Sequence, residues 1–215
     1  MGAAMQDRLK GLYLVTPDWD DTERLVAVSD AGLKGGAALL QYRHKTASPA
    51  LRREQAAALL AVCRRHGKPF IINDYPELCV ELDADGIHVG GTDAAVAEVR
   101  RQVGPQRIVG SSCYGSLELA QAAQDAGASY VAFGGFYPSR IKKYEVSTPV
   151  DIVTRAGQMV ALPNVVIGGM TRENAVPLVA AGADMVAVIS SVYFADDPEG
   201  AARELAGLFA TARRA

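Results

Sequence analysis

The stretch AGASYVAF at residues 126–133 ends a helix-like segment and begins a strand-like one, and AGADMVAV at residues 181–188 repeats the pattern. In both, a glycine stands where a helix must turn, and an apolar run follows it. Segments of helical spacing and short apolar runs alternate in this way along the whole chain. The pattern therefore predicts a succession of strand and helix units.

Eight apolar runs are strand candidates. They cover residues 11–15, 39–43, 69–73, 86–89, 107–111, 130–133, 164–167 and 185–189. Nearly all are apolar at successive positions, which is typical of strands buried on both faces of a parallel sheet. Eight such units predict an α/β fold, a single (β/α)8 TIM barrel. A doubly wound sheet is the alternative, but neither GxGxxG after a strand nor GxxxxGK[ST] occurs.

Capping residues mark where helices begin. They are Ser48 before Pro49, Asp197 before Pro198, Ser116 and Thr171. No linker or low-complexity segment divides the chain, so residues 1–215 are expected to form one domain. Residues 1–10 are expected to be an N-terminal extension and residues 209–215 a C-terminal tail.

The composition excludes several classes of protein. A chain of 215 residues that is 49% hydrophobic can bury a core without disulfides or a structural metal. A net charge of -2 argues against a nucleic-acid partner. The three cysteines, Cys63, Cys79 and Cys113, are scattered and odd in number, which indicates a reducing compartment. No apolar run approaches the ~18 residues of a membrane span and the start does not resemble a signal peptide. We expect a soluble, cytoplasmic protein with no membrane partner.

Two aspartates follow neighbouring strands of the predicted barrel. Asp74 comes directly after the third strand and Asp93 just beyond the fourth. Active sites of TIM barrels lie at this end of the strands. Two carboxylates with open positions suit Mg²⁺ that keeps waters and is completed by substrate phosphates. The alternative for each aspartate alone is that it caps the helix that follows.

A cluster of cations is also predicted at this end of the barrel. Arg43, Lys45 and Lys142 would face one mouth beside the hydrogen-bonding Asn73 and Ser112, which suits a diphosphate. The alternative, a solvated basic loop, is favoured for the neighbouring lysine at position 143.

A second anion site is predicted at the ends of strands seven and eight. Gly168-Gly169 and Ile189-Ser190 stand where TIM barrels often bind a phosphate, although glycines there also permit tight turns. Two anion sites of which one is linked to a metal indicate two phosphorylated substrates, or one long one, and chemistry in which diphosphate leaves. His88 lies in mid-strand and is interpreted as a supporting histidine rather than a general base.

An ordered set of motifs resembles the thiamine phosphate synthase family over roughly residues 11–208. The motifs are Tyr13-Leu14-Val15-Thr16, Gln41-Tyr42-Arg43-His44-Lys45, Asn73-Asp74, Gly86-Ile87-His88-Val89-Gly90 with Asp93, Gly110-Ser111-Ser112, Tyr137-Pro138 with Lys142, Ile167-Gly168-Gly169 with Asn174, and Ala181-Gly182-Ala183-Asp184 with Ile189-Ser190.

The resemblance implies a transferase that joins a hydroxymethylpyrimidine diphosphate to a thiazole phosphate and releases pyrophosphate. It implies a dissociative reaction assisted by Mg²⁺ on Asp74 and Asp93 and by the cations Arg43, Lys45 and Lys142. The residues implied to hold the pyrimidine diphosphate are Gln41, Tyr42, Arg43, His44, Lys45, Asn73, Ser112 and Lys142. Those implied to hold the thiazole phosphate are Ser139, Arg140, Ile141, Gly169, Ile189 and Ser190.

Three positions depart from the family pattern. Ile141 stands where the family usually has a threonine, and Gly91-Thr92 precede Asp93 where Gln-Glu is common. Tyr114 stands where many relatives have a histidine. A related thiazole tautomerase resembles this sequence less, because its catalytic histidine would fall at position 114. A non-catalytic thiamine-pathway binding or regulatory protein is the other alternative.

Overall fold

The fold is a closed barrel of eight parallel strands in a computed structural model that describes residues 9–90, 93–138 and 148–212. Each strand pairs with its neighbours in chain order, and β8 closes the barrel on β1, with Gly11 opposite Met185. The strands are β1 Gly11–Val15, β2 Leu39–Tyr42, β3 Phe70–Asn73, β4 Gly86–Val89, β5 Ile108–Tyr114, β6 Tyr130–Gly134, β7 Asn164–Ile167 and β8 Met185–Val188. The predicted TIM barrel is confirmed.

Helices follow the strands and form the outer layer. They are α1 Thr22–Lys34, α2 Pro49–His66, α3 Pro76–Glu81, α4 Asp93–Val103, α5 Leu117–Asp125, α6 Asp151–Met159, α7 Arg172–Ala180, α8 Ser190–Tyr193 and α9 Pro198–Ala212. Four predicted capping oxygens accept a hydrogen bond from a backbone N–H three residues on. They belong to Ser48, Ser116, Thr171 and Asp197. In the part of the chain that the structure describes, no helix is both long and apolar enough to cross a membrane.

The predicted boundaries at the two chain ends need correction. Helix α9 continues to residue 212, and Phe209 at its end is buried in the core, so residues 209–212 are not a tail. Leu9 is buried inside the barrel and therefore does not belong to an extension. Both are apolar side chains that cover ends of the hydrophobic core.

Side chains alternate between the barrel interior and the layer beneath the helices. In β1, Tyr13 and Val15 point into the barrel, whereas Leu12 and Leu14 pack under the helices. This alternation makes every strand apolar at successive positions, because both of its faces are covered. The same alternation decides which residues at the carboxyl end of each strand face the opening of the barrel.

Gly110 in β5 makes room for the ring of Tyr130 in β6. A Cβ at Gly110 would lie 2.0 Å from Tyr130 Cζ. We expect Gly110→Ala to lower the free energy of unfolding by about 1–3 kcal/mol, because the buried ring must move. Urea unfolding measures the change. The control is Gly157→Ala in α6, where a Cβ meets nothing within 4 Å and stability should be unchanged or slightly higher. Equal losses in both variants would contradict this packing role.

Candidate active site at the barrel mouth

A cavity of about 190 Å³ opens at the carboxyl ends of the strands. Its floor is apolar and includes Val15, Ala132, Val165 and Ala187. Its polar wall combines cations, a carboxylate, amides, a hydroxyl and an imidazole. These are Arg43, Lys45, Asp74, Gln41, Asn73, Ser112 and His88. The structure thus brings six of the predicted site residues together around one cavity, which His88 also lines.

The loop after β1 fixes the cations that follow β2. Arg43 N donates to Thr16 Oγ1 over 2.8 Å, and Thr16 Oγ1 donates to Arg43 O over 2.9 Å. Asp18 Oδ1 accepts from Arg43 Nη1 at 3.1 Å and from Lys45 N at 2.9 Å. The Arg43 side chain is nearly buried, so these contacts hold its guanidinium against the cavity wall. The sequence analysis did not assign Asp18 to the site. Like Arg43 and Lys45, however, Asp18 is a charged residue that closely follows a strand.

We predict that Asp18→Asn weakens catalysis through Arg43. An amide keeps the shape of the carboxylate but removes its charge, so the guanidinium loses a partly exposed ion pair worth about 1 kcal/mol. The expected result is a fall in kcat/KM of roughly fivefold, since 1.4 kcal/mol is a factor of ten. Steady-state kinetics measure it. Asp20→Asn is the control, because the exposed Asp20 carboxylate contacts His44 and not Arg43. Equal kinetics in the two variants would remove Asp18 from this role.

Asp74 holds its carboxylate at the mouth in an uncommon backbone conformation. Its φ of 67° lies in the left-handed region, which non-glycine residues rarely adopt. Its Oδ2 accepts from Lys45 Nζ and from Asn73 Nδ2, both at 2.7 Å. The N-cap of α3 is Tyr75, and no side chain caps that helix. The helix-capping alternative for Asp74 is therefore wrong.

Several predicted site residues cannot be placed at the mouth. The backbone of Asp93 begins α4, but its side chain lies outside the described residues. Residues 139–147 also lie outside them. This segment contains Ser139, Arg140, Ile141 and Lys142. Their predicted roles stay predictions, and so does the choice between metal ligand and helix cap for Asp93.

Tyr42 and His44 lie on the other side of the β2 segment from the cavity. The Tyr42 ring packs in the outer core, and its Oη donates to Gln55 Oε1 over 3.0 Å. His44 is 4% exposed, and its Nε2 lies 3.0 Å from Asp20 Oδ1. Neither side chain lines the cavity, and their predicted roles in holding the substrate stay predictions. Their position follows from strand alternation: residues 41 and 43 point inward, and residues 42 and 44 point outward.

The predicted phosphate-binding residues lie beside the cavity, at the ends of β7 and β8. Gly169 has a φ of 63°, and a Cβ there would lie 2.4 Å from Pro138 O. Asn174 Nδ2 donates to Gly169 O over 2.8 Å and fixes this turn. Ile189 and Ser190 form the start of α8. None of Gly169, Ile189 and Ser190 lines the 190 Å³ cavity.

A line of hydrogen bonds runs beneath the mouth from β2 to β5. Gln41 Nε2 donates to Tyr13 Oη over 2.8 Å, and Tyr13 Oη lies 2.7 Å from Tyr130 Oη. Tyr130 Oη lies 2.9 Å from His88 Nδ1, and His88 Nε2 lies 2.9 Å from Ser112 Oγ. His88 therefore has the supporting position that the sequence indicated.

The described residues supply no reactive thiol. All three cysteines are buried and unpaired. Cys113 directly follows the cavity residue Ser112, and burial raises its pKa to about 11. Burial also raises the pKa of Cys79 to about 11. Burial raises the pKa of the Cys63 thiol further. A thiolate is the nucleophilic form, so these cysteines are structural.

A parallel barrel whose mouth gathers cations and a carboxylate defines a TIM-barrel enzyme that acts on small molecules. Residues 12–192 match the family described as thiamine monophosphate synthase. The chain is 63% identical over 206 residues to the thiamine-phosphate synthase of Janthinobacterium sp. (strain Marseille), which covers 96% of this chain and 100% of that protein. It is 50% identical over 200 residues to the enzyme of that name from Thiobacillus denitrificans, with 93% and 95% covered.

A solved structure agrees with the sequence comparisons. Thiamine phosphate pyrophosphorylase from Pyrococcus furiosus superposes with a TM-score of 0.85 at 29% identity, over 97% of this chain and 98% of that one. The chain belongs to the thiamine monophosphate synthase family. Its function is that of a thiamine-phosphate synthase, which is a transferase.

Proposed function

We propose that the chain joins 4-amino-2-methyl-5-hydroxymethylpyrimidine diphosphate to a thiazole phosphate, giving thiamine phosphate and pyrophosphate. The observation that carries this proposal is the convergence of Arg43, Lys45 and Asp74 on one cavity that also presents Gln41 and Ser112. The ionic groups suit a diphosphate, and the amide and hydroxyl suit a flat ring with donors and acceptors. We place the reaction in the cytoplasm.

The diphosphate would bind where the two cations of the β2 segment reach the mouth. Arg43 uses Nη1 toward Asp18, and its other N–H groups would donate to phosphate oxygens. Lys45 Nζ contacts the Asp74 carboxylate, and it would transfer to a phosphate oxygen as substrate enters. Asn73 Nδ2 also donates to the Asp74 carboxylate, and it too would turn to a phosphate oxygen.

Asp74 has the chemistry of a Mg²⁺ ligand. Its carboxylate lies at the mouth, is free of helix capping and is surrounded by hydrogen-bond donors. Within the described ranges, no group of three or more His, Cys, Asp or Glu side chains could hold a metal by itself. Mg²⁺ commonly needs only one or two carboxylates beside waters and substrate phosphates. Asp74 and Asp93 would hold it, and it would neutralise charge on the departing diphosphate.

The proposed reaction breaks the bond between the pyrimidine methylene carbon and the diphosphate oxygen first. The electron pair leaves with the diphosphate, where Arg43 and Lys45 stabilise the added charge. The thiazole nitrogen then donates its lone pair to the carbocation and forms the new C–N bond. No protein nucleophile is required, which agrees with the raised thiol pKa of Cys113. The apolar floor, which includes Val165, would keep water from the cation.

The thiazole phosphate would bind beside this cavity, at the ends of β7 and β8. Gly169, Ile189 and Ser190 follow these strands, and a Cβ at Gly169 would lie 2.4 Å from Pro138 O. The turn at Gly169 depends on a left-handed φ and on the Asn174 contact, so its backbone is held in place before substrate arrives. Two adjacent anion sites would bring the thiazole nitrogen toward the pyrimidine methylene carbon.

Two alternatives predict different products. A thiazole tautomerase would need a histidine at position 114, where this chain places Tyr114, exposed at the mouth with a φ of 52°. A binding protein would retain the pyrimidine diphosphate without turnover. The cations and Asp74 at the mouth favour the synthase over the tautomerase, which has no diphosphate to hold, and turnover distinguishes the synthase from a binding protein.

Omission of single components tests the proposal. Purified protein is incubated with both substrates and Mg²⁺, with each substrate alone, and with both substrates plus EDTA, and pyrophosphate is measured. We expect pyrophosphate only in the complete mixture. Conversion of the thiazole phosphate in the absence of the pyrimidine would favour the tautomerase. Binding of the pyrimidine diphosphate without pyrophosphate release would favour the binding protein.

A further inference from the structure

Gln55 of α2 is a polar side chain that the proposed reaction does not use, although it is fully buried. Its Nε2 donates to Trp19 O over 2.8 Å and to Asp20 O over 3.4 Å. Backbone carbonyl oxygens only accept hydrogen bonds, so the amide nitrogen must face them. Its Oε1 then faces Tyr42 Oη, which donates to it over 3.0 Å. These contacts leave Gln55 one orientation.

Residues 16–21 form the loop between β1 and α1, and this loop is held from two sides. On its outer side, the Gln55 amide holds the backbone. On its inner side, Asp18 Oδ1 accepts from Arg43 Nη1 over 3.1 Å. Asp18 directly precedes Trp19, so the place of its carboxylate depends on where the backbone at Trp19 lies.

Two adjacent residues of the β2 segment take part on the two sides of the loop. Tyr42 faces the outer core and donates to Gln55. Arg43 faces the cavity and donates to Asp18. We propose that Gln55 is a positioning residue for the proposed reaction: it holds the loop where Asp18 can keep Arg43 against the cavity wall.

The consequence for catalysis follows from the role of the Arg43 guanidinium, and this step rests on the proposed function. There the guanidinium contacts the diphosphate before and after the C–O bond breaks. If the loop is released, the guanidinium loses the carboxylate that orients it. The loss should therefore affect kcat and the KM for the pyrimidine diphosphate. It should spare the KM for the thiazole phosphate, which would bind at the ends of β7 and β8.

Trp19 reports the position of the loop without any substrate, because it is the single tryptophan of the chain. Its ring packs edge-on against Tyr193 and Phe194, with 5.8 and 5.3 Å between ring centroids. Arg24 Cζ lies 3.9 Å from the centroid of the same ring. Release of the loop backbone would loosen these contacts and expose the indole to solvent.

Fluorescence of Trp19 tests the attachment of the loop. Gln55→Met keeps the length of the side chain and removes both of its polar atoms. We expect a red shift of the emission maximum and a larger Stern–Volmer constant for quenching by acrylamide. Tyr42→Phe removes only the hydroxyl bonded to Gln55, so it should give a smaller change in the same direction. This second variant decides the question if Gln55→Met does not fold.

Ser129→Ala is the matched control for the loss of a buried hydrogen bond. Ser129 is fully buried, and its Oγ accepts from Val109 N over 3.0 Å. It precedes β6, at the opposite end of the barrel from the mouth. This variant should lose stability and keep both the wild-type emission and the wild-type kinetics. Unchanged emission in Gln55→Met and Tyr42→Phe, or an equal shift in Ser129→Ala, would overturn the proposal.

Kinetics test the step from the loop to the guanidinium. Gln55→Met should lower kcat/KM for the pyrimidine diphosphate roughly tenfold, the equivalent of one hydrogen bond. In an Asp18→Ala background the same substitution should cause little further loss, because Gln55 acts through Asp18. Fully additive losses would overturn this step. An inactive wild type would refute the proposed synthase reaction, whereas the fluorescence would still decide whether Gln55 holds the loop.

Discussion

Asp74→Asn is expected to lower kcat by a factor of about 100 to 1000, which corresponds to about 3–4 kcal/mol of transition-state stabilisation. The amide keeps the size of the carboxylate and its hydrogen-bonding oxygen but removes the charge that would hold Mg²⁺. Lys45, whose ammonium contacts this carboxylate at 2.7 Å, also loses its ion-pair partner. Steady-state rates across a Mg²⁺ titration measure the effect, and the half-saturating Mg²⁺ concentration should rise.

Asp83→Asn is the matched control for this substitution. Asp83 also has a left-handed φ, of 51°, and its carboxylate also pairs with a cation, Arg107, at 2.7 Å. It lies before β4, at the opposite end of the barrel from the mouth. We expect Asp83→Asn to leave the Mg²⁺ dependence unchanged. A wild-type rate and Mg²⁺ dependence in Asp74→Asn would exclude Asp74 from the metal site.

Arg43→Lys is expected to lower kcat/KM by about 100-fold, even though the charge is conserved. A lysine cannot keep one contact on Asp18 while presenting further N–H groups to phosphate oxygens in a fixed plane. The loss should affect both kcat and the KM for the pyrimidine diphosphate, because the guanidinium would contact the diphosphate before and after the C–O bond breaks.

Arg107→Lys controls for the loss of an ion-paired guanidinium elsewhere in the barrel. Arg107 contacts Asp83 at the opposite end, so its substitution should leave the kinetics unchanged. Thermal unfolding of both variants separates a lost contact in the site from a lost fold. Near-wild-type kcat/KM in Arg43→Lys would show that charge alone is sufficient at this position.

The fold could be predicted from the sequence because burial on both faces makes each barrel strand an apolar run. Every predicted strand is present, and the largest difference in end position is at β5, which continues to Tyr114. A register shift between Ser112 and Tyr114 accompanies this extension. Such irregularity depends on the neighbouring strand and leaves no periodic signal in the sequence.

The site could be predicted in part, for reasons that differ between residues. Arg43 and Asp74 follow strands and reach the mouth, as their position indicates. Tyr42 follows the same motif but faces outward, which alternation along the strand could have shown. The contact between Tyr13 and Tyr130 joins residues 117 positions apart, so it emerges only when the barrel closes. No local pattern could have predicted the line of hydrogen bonds that passes through it.

Quantification of thiamine phosphate in a single turnover tests the central claim most directly. Wild-type protein in excess is mixed with the pyrimidine diphosphate, the thiazole phosphate and Mg²⁺, and the products are separated by mass spectrometry. We predict equal amounts of thiamine phosphate and pyrophosphate, and neither product when Mg²⁺ is chelated. Unchanged pyrimidine diphosphate in the complete mixture, with the protein folded and the substrate bound, would contradict the account.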